Sequence, residues 1–370
     1  MAEEKKLYPF RLEAFEDVYG WGTEKFALAD LGYRDTPVRD GWVQGNSMGD
    51  MMETFLDRLV GDNVFDWYGQ QFPFQLKWIS CKGKMPLRVC PDDEVARQRY
   101  DALGKEKLWY VVSADADARV FLGFEKAMDV AGFVAACEDG SIASKLHSVH
   151  PKAGDFFHIA PGTPHCAFGK MEILELSESS AMDFCLCTWG QPREEDEFDE
   201  AFDLVEALDF IKLDAYVPEQ PEHEHEKIVR RLLQLPQFTA SLLNMTDPLH
   251  IYTEKFDSCI AYTCIKGAFE LSTAAPEGLQ TKDAGSGSQA SAEVVKFRLQ
   301  PGETVLVPAE CPDFFLTPLA AGTLLLEAMV EKREDPDPYT GEDEDEHGHE
   351  CDDDCDCGHH HHHDHEKWLS

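Results

Sequence analysis

The stretch Pro86-Leu87-Arg88-Val89-Cys90-Pro91-Asp92-Asp93-Glu94 carries a strand into a turn. Arg88 and Cys90 are two residues apart, which puts both side chains on one side of that strand. Asp92 and Asp93, after Pro91, cap the turn or helix start that follows. Working backwards, residues 72–80 alternate loosely through Phe74, Leu76 and Trp78 and read as a strand that delivers the chain to this point. Residues 50–59 have helical spacing, and Tyr19-Gly20-Trp21-Gly22-Thr23 reads as an edge strand and a Gly turn. Working forwards, 108–113 and 119–124 are apolar runs around the acidic turn Asp115-Ala116-Asp117, which predicts a hairpin. A short helix over 127–137 comes next, then strand-like runs at 155–160, 171–176 and 183–188. Gly162-Thr163-Pro164-His165 is a turn entering a strand, with its histidine aimed inward. Many short strands between Pro and Gly turns predict a β-sandwich or barrel of jelly-roll type.

Beyond the charge cluster at 193–200, residues 202–211 and 226–235 have helical periodicity, with Pro218, Pro221 and Pro236 as breakers. A second β-rich region follows over 250–330. Its Phe297-to-Ala309 segment repeats the pattern seen around Pro161, an apolar strand after a Gly turn, but carries no histidine. The Gly/Ser-rich 284–292 reads as a flexible loop.

At 370 residues and 43% hydrophobic, with 23 Phe and 7 Trp, the chain can build a substantial core. A net charge of −38 argues against nucleic acid or an anionic membrane as partner, since both require a basic footprint. The start Met-Ala-Glu-Glu-Lys-Lys has no apolar core of a leader, and no apolar run approaches a membrane span, so a cytoplasmic location is expected. Nine of the twelve Cys are scattered before residue 320, which fits reduced, buried thiols.

Three segments carry a resemblance: Pro86 to Glu94, Gly104-Lys105-Glu106-Lys107-Leu108-Trp109-Tyr110, and Lys152 to His165. They resemble the site-forming segments of type I mannose-6-phosphate isomerases, zinc enzymes of the cupin superfamily. There they read roughly V-Q-V-H-P-D-D, G-K-x-E-x-W-Y and P-G-D-x-x-x-x-P-x-G-T-x-H. The resemblance extends over residues 8–330 and is strong at these segments. With it, the expected fold is mainly β: two cupin-like jelly-roll β-sandwich domains with a helical connector. The expected boundaries are a first cupin-like domain at 1–193, the connector at 194–245, a second cupin-like domain at 246–332 and a tail at 333–370.

The resemblance implies a zinc held by Gln, His, Glu and His that polarises the sugar carbonyl during aldose–ketose isomerisation. In this sequence those positions are Arg88, Cys90, Lys107 and His165. Cys90 for His is an exchange that zinc tolerates, so Cys90 and His165 stand as the candidate metal residues. Arg88 and Lys107 bring positive charge where a cation should sit, and are instead candidates for holding a phosphate or carboxylate. Lys105 matches a family lysine implicated in proton transfer. Glu106 adjoins the lost carboxylate but faces the other side unless the register slips by one; both are the catalytic candidates. The family's enediolate-stabilising arginine falls on Cys185 by a loose count. Each piece also has a plain reading: a strand-end lysine, a core histidine, a turn-capping aspartate.

From Glu334 onward there are 15 acidic residues against one Lys, a net of −14 that leaves −24 for the rest. His347, His349, Cys351, Cys355, Cys357, His359, His360, His361, His362, His363 and His365 are interleaved with them. Imidazole, thiolate and carboxylate at that density bind zinc or another divalent transition metal, in a segment that cannot build a core. Three functional readings follow. The first is an isomerase-like protein with reduced or lost activity that binds a sugar phosphate or other anion. The second is an active zinc-dependent isomerase with a modified site. The third is a metal-handling protein acting through its tail.

Overall fold

The computed structural model describes residues 5–191, 200–218, 228–254, 256–274 and 295–331. The Gly/Ser-rich 284–292 and the His/Cys-rich tail lie outside the described residues, as does most of the 193–200 charge cluster. The described residues are mainly β, in four sheets of antiparallel strands.

A six-stranded sheet runs, in spatial order, Phe15–Tyr19, Gly22–Leu28, Phe74–Cys81, Met171–Glu178, Lys107–Ala114 and Phe156–Ile159. Its inner face packs against a five-stranded sheet ordered Phe184–Cys187, Leu87–Val89, His165–Phe168, Arg119–Phe124 and Leu146–Val149. Ile79, Trp109 and Ile173 from the first sheet meet Val120, Leu122 and Ala167 from the second.

The second sandwich has a six-stranded sheet ordered Phe10–Arg11, Thr304–Val307, Ile260–Lys266, Thr323–Met329, Thr239–Met245 and Val229–Gln234. It closes on a four-stranded sheet of Leu249–Tyr252, Asp313–Pro318, Phe269–Ser272 and Lys296–Leu299 over Tyr262, Phe269, Phe314 and Leu325. The strand nearest the N-terminus belongs to this later sandwich, with Phe10 opposite Leu306. The largest apolar cluster lies between the two six-stranded sheets, where Phe74, Leu76, Leu174 and Leu176 face Leu242, Ala261, Leu306 and Leu326. Each such side chain contributes roughly 1.5–3 kcal/mol on burial. The six-stranded sheet of the first sandwich is thus covered on both faces, and Lys77, Lys107 and Glu175 on its inner face are buried.

Two local expectations are corrected. Residues 226–235 are not helical: Val229–Gln234 is a strand paired with Thr239–Met245. A register shift between Arg231 and Leu233 interrupts the alternation and imitates a helical period. The runs around Asp115-Ala116-Asp117 do not form a hairpin. Lys107–Ala114 lies in one sheet of the sandwich and Arg119–Phe124 in the other, so the turn carries the chain across the core. The helix expected over 50–59 is Met48–Phe55, started by a capping box in which Ser47 and Asp50 exchange hydrogen bonds at 3.0 and 2.9 Å. The helix expected over 202–211 is Glu200–Ala207. No helix of the described residues is long and apolar enough to cross a membrane.

Asp30 is a buried carboxylate that stabilises a corner of this sandwich at a cost. It accepts the Phe72 N–H at 2.9 Å, yet burial raises its pKa from 3.8 to about 6. The folded state therefore prefers the neutral acid, and stability is lost as pH rises from about 4 through about 6. Asp30→Asn keeps an acceptor for Phe72. It is expected to raise stability at pH 8 by about 2–3 kcal/mol, with the gain vanishing near pH 4. Denaturant unfolding of both forms across that range checks it, and an equal difference at both pH values would contradict the assignment.

Candidate functional site

The three quoted segments are pinned together by backbone bonds. Lys105 N–H donates to the Pro91 carbonyl at 3.1 Å and Gly162 N–H to the Cys90 carbonyl at 2.8 Å. Gly104 lies so close that a Cβ there would sit 2.4 Å from the backbone of Asp92 and Asp93. Gly162 has φ +80°, and a side chain would meet the Phe210 carbonyl at 2.5 Å. These glycines allow the segments to converge on one end of the first sandwich.

Strand register then selects which side chains face inward. Across the six-stranded sheet, Lys77, Glu175 and Trp109 are direct neighbours in one row, and Gln75, Ser177 and Lys107 in the next. Period-two alternation sends all six to the inner face while Leu76, Leu174, Leu176 and Leu108 go to the core on the other side. The opposite sheet supplies Arg88 and His165, which are register partners. Asp183, just before the Phe184–Cys187 strand, completes the group.

The contacts form one network. Lys107, fully buried, donates to His165 Nε2 at 3.1 Å and to Asp183 Oδ1. Lys105 Nζ is 2.5 Å from Asp183 Oδ2, and the Cys90 thiol donates to Asp183 Oδ1 at 3.1 Å. Lys77 bridges Glu24 at 3.3 Å and Glu175 at 3.2 Å, and Arg88 pairs with Glu24 at 2.7 Å. Trp109 Nε1 donates to Glu175 at 2.6 Å, and its ring stands edge-on to His165.

Protonation follows from these neighbours. His165 Nδ1 donates to the Thr163 carbonyl at 2.9 Å, leaving Nε2 as acceptor for Lys107. Burial and the Lys107 charge push its pKa down to about 3, so the imidazole is neutral. Burial and Asp183 push Cys90 up to about 12, so it is a thiol. Burial works against the charge on Lys107, but Asp183, Cys90 and Glu175 together outweigh it and the ammonium holds its proton more tightly than in water. Burial would likewise raise Asp183, but Lys105 and Lys107 hold it well below the usual carboxylate range. Lys105 goes the other way: burial and the neighbouring Lys107 and Lys77 lower its pKa despite Asp183. The count is four cations (Lys77, Arg88, Lys105, Lys107) against three carboxylates (Glu24, Glu175, Asp183).

A cavity of about 210 Å³ opens onto this network, lined among others by Tyr19, Glu24, Tyr33, Gln75, Lys77, Arg88, Lys105 and Asp183. A larger cavity of about 360 Å³ lies by Arg11, Arg39 and Glu303, where the charges pair with one another near the surface. It has none of the first cavity's buried titratable groups.

Of the residues singled out from sequence, Cys90, His165, Lys105 and Lys107 come together. Arg88 stands beside them on Glu24. Glu106 does not join: no register slip occurs at that end of the strand, and its carboxylate pairs with His158 at 2.8 Å. Cys185 is the register partner of Arg88, so a guanidinium stands one strand over from the expected arginine position. Asp183, Lys77, Glu24 and Glu175 were not identified in advance as site residues.

Among the described residues, Cys90, His165 and Asp183 are the one group of potential metal donors, their donor atoms all within 4.8 Å of one another. The set is right in kind for the zinc implied by the resemblance. The space is not. The Lys107 ammonium already bonds the very atoms, His165 Nε2 and Asp183 Oδ1, that a metal would use, and Lys105 holds the second Asp183 oxygen. With Lys107 in place the residues do not fit a metal ion.

No protein-family model matches the chain. It is 25% identical over 253 residues to mannose-6-phosphate isomerase ManA of Bacillus subtilis, a match covering 64% of this chain and 79% of that one. It is 33% identical over 111 residues to mannose-6-phosphate isomerase of Streptococcus mutans, covering 30% and 34%. The crystal structure of the mannose 6-phosphate isomerase from Bacillus subtilis superposes with a TM-score of 0.67 at 19% identity, over 87% of this chain and 99% of that one. A putative mannosephosphate isomerase from Archaeoglobus fulgidus superposes with a TM-score of 0.65 at 17% identity, over 88% and 98%. The fold is that of these structures.

Proposed function

We propose that this chain is a mannose-6-phosphate isomerase-like protein that binds a sugar phosphate or a related anion, with isomerase chemistry reduced or lost. The observation that carries the reading is the Lys107 ammonium seated on His165 and Asp183. It supplies one fixed positive charge where the resemblance implies a divalent Lewis acid. A hydrogen-bonded ammonium polarises a carbonyl far less than a coordinated metal does. The excess of one cation over carboxylates, beside a cavity reached by Lys77, Arg88 and Lys105, favours an anionic guest. Arg88 adds a planar fork of donors, of which Glu24 engages NH1.

The alternative of a working isomerase built on Cys90, Glu106, His165 and Lys105 is disfavoured because Glu106 is committed to His158 on the far side of the strand. The test is a coupled assay of mannose 6-phosphate to fructose 6-phosphate with the full chain, in chelator and in saturating zinc, beside calorimetric binding of both sugars. No zinc-dependent turnover is expected, together with binding that Arg88→Lys weakens about 10-fold or more, since the point charge stays but the fork is lost. Zinc-dependent turnover abolished by His165→Ala would overturn the reading.

A further inference from the structure

We infer that the cavity of about 360 Å³ between the two sandwiches is a second anion site, shaped for a small phosphate-bearing molecule, with Arg11, Lys25 and Arg39 as its donors. What the first cavity binds has no bearing on it. The two lie on opposite faces of one sheet. On the strand Gly22–Leu28, alternation sends Glu24 inward to Arg88 and Lys77, and sends Lys25 to the other face and into this cavity. Arg11, Gly302, Glu303 and Thr304 line it from the second sandwich. The volume falls within the roughly 300–1,000 Å³ of small-molecule sites, which favour such junctions.

The acceptors around this cavity are used up and the donors are not. Asp40 takes Nε and Nη2 of Arg11 on its two oxygens, each at 2.8 Å. Glu303 takes Arg39 Nη1 at 3.1 Å on one oxygen and the Gln300 N–H at 2.8 Å on the other. Asp40 is 3.9 Å from Arg39 Nε, too far for a hydrogen bond. Nη1 of Arg11, Nε and Nη2 of Arg39 and the whole Lys25 ammonium are left over. Lys25 has no ion pair or hydrogen bond among the described residues, and its register partner Glu16 is exposed and does not reach it. Gly302, at φ +86°, leaves open the space beside Lys25, where a Cβ would lie 3.9 Å from Nζ. Glu13 is the one lining carboxylate without a partner among the described residues, and it stands exposed at the rim. Three cations meeting in one hollow are not a by-product of composition, since acidic residues outnumber Lys and Arg by 71 to 33. A guest must therefore bring acceptors and negative charge. A phosphate group offers three terminal oxygens and a charge near −2 to donors on three separate segments, where a carboxylate offers two oxygens in one plane.

The test is a calorimetric titration of the full chain with inorganic phosphate at constant ionic strength, in wild type, Lys25→Gln, Lys25→Arg, Glu13→Gln and Arg88→Lys. The tail is common to all five. Lys25→Gln removes a charge that no carboxylate depends on, and should weaken one class of phosphate binding about 10-fold or more. Lys25→Arg keeps the charge and should restore it. Glu13→Gln removes rim repulsion and should tighten the same class about 2- to 5-fold, a gain that loss of packing cannot produce. Arg88→Lys should leave this class unchanged. Phosphate binding that ignores Lys25→Gln, or none at all, overturns the second site. Loss in Arg88→Lys alone also overturns it, by placing phosphate in the first cavity, and leaves the proposed function standing. Equal weakening by Lys25→Gln and Arg88→Lys would mean a single site and overturns a second one. Acetate bound as tightly as phosphate by the Lys25-dependent class overturns the phosphate assignment.

Discussion

Asp183→Asn is expected to destabilise the protein by about 3–5 kcal/mol, among the largest effects of any single polar substitution in this chain. Asp183 accepts from three donors: Lys105 at 2.5 Å, Lys107, and the Cys90 thiol at 3.1 Å. Asparagine keeps one acceptor oxygen and turns an N–H₂ toward an ammonium. Two buried lysines then lose their counter-charge in a site where Lys105 is 2% exposed and Lys107 not at all. Desolvated cations without a partner are costly because the penalty of removing them from water is no longer offset by attraction. The comparison that isolates burial is Asp209→Asn, which breaks the ion pair to Arg99 at the surface, where the carboxylate is 58% exposed. That change should be within error of wild type, since water and salt screen such pairs. Equilibrium denaturation of both variants decides it. A loss below about 1 kcal/mol for Asp183→Asn would mean that the lysines are solvated or discharged, and the network described above would be wrong.

Much of this arrangement was legible in the sequence, and the parts that were not share a cause. Gly162-Thr163-Pro164-His165 announced a turn into a strand, and the strand begins at His165. Asp92 announced a helix start, and its side chain accepts the Val95 N–H at 2.9 Å. That Arg88, Cys90 and Lys107 stand where the resemblance implies metal ligands was readable because the scaffolding residues around them keep their spacing. Asp183 was not readable. It belongs to no local pattern and reaches Lys105 and Lys107 only because Phe184–Cys187 pairs with Leu87–Val89, a register set by contacts about a hundred residues apart. Lys77 and Glu175 did leave a signal. Each is a charged residue in the middle of a strand, FQLKWISC and MEILELSE, whose apolar members fill a core. A strand that is buried on both faces and still carries charge at inward positions marks a polar interior. What sequence cannot supply is the pairing, because a cation and a carboxylate a hundred residues apart become partners only once the strand order is known.

That pairing carries the second large expectation. Lys77→Met alone and Glu175→Gln alone should each cost about 3–5 kcal/mol, whereas the double substitution should cost far less than their sum. Lys77 is 2% exposed and bridges Glu24 and Glu175. Removing it takes the nearest counter-charge from Glu175, which keeps the Trp109 N–H and the more distant Lys107 and Lys105, while Glu24 retains Arg88. Glu175→Gln keeps an acceptor for Trp109 but leaves Lys77 paired on one side only. Made together, the two changes remove a cation and a carboxylate in equal number, keep the Trp109 hydrogen bond, and replace the lysine stem by an apolar chain of similar length. The coupling energy in the double-mutant cycle should then be about 3 kcal/mol or more in favour of the wild-type pair over either broken one. The net cost of the double variant measures what the ion pair contributes beyond an apolar filling. Additive losses would show that Lys77 and Glu175 act separately, and that the buried charges of this interior are solvated one by one through the cavity and not compensated as a network.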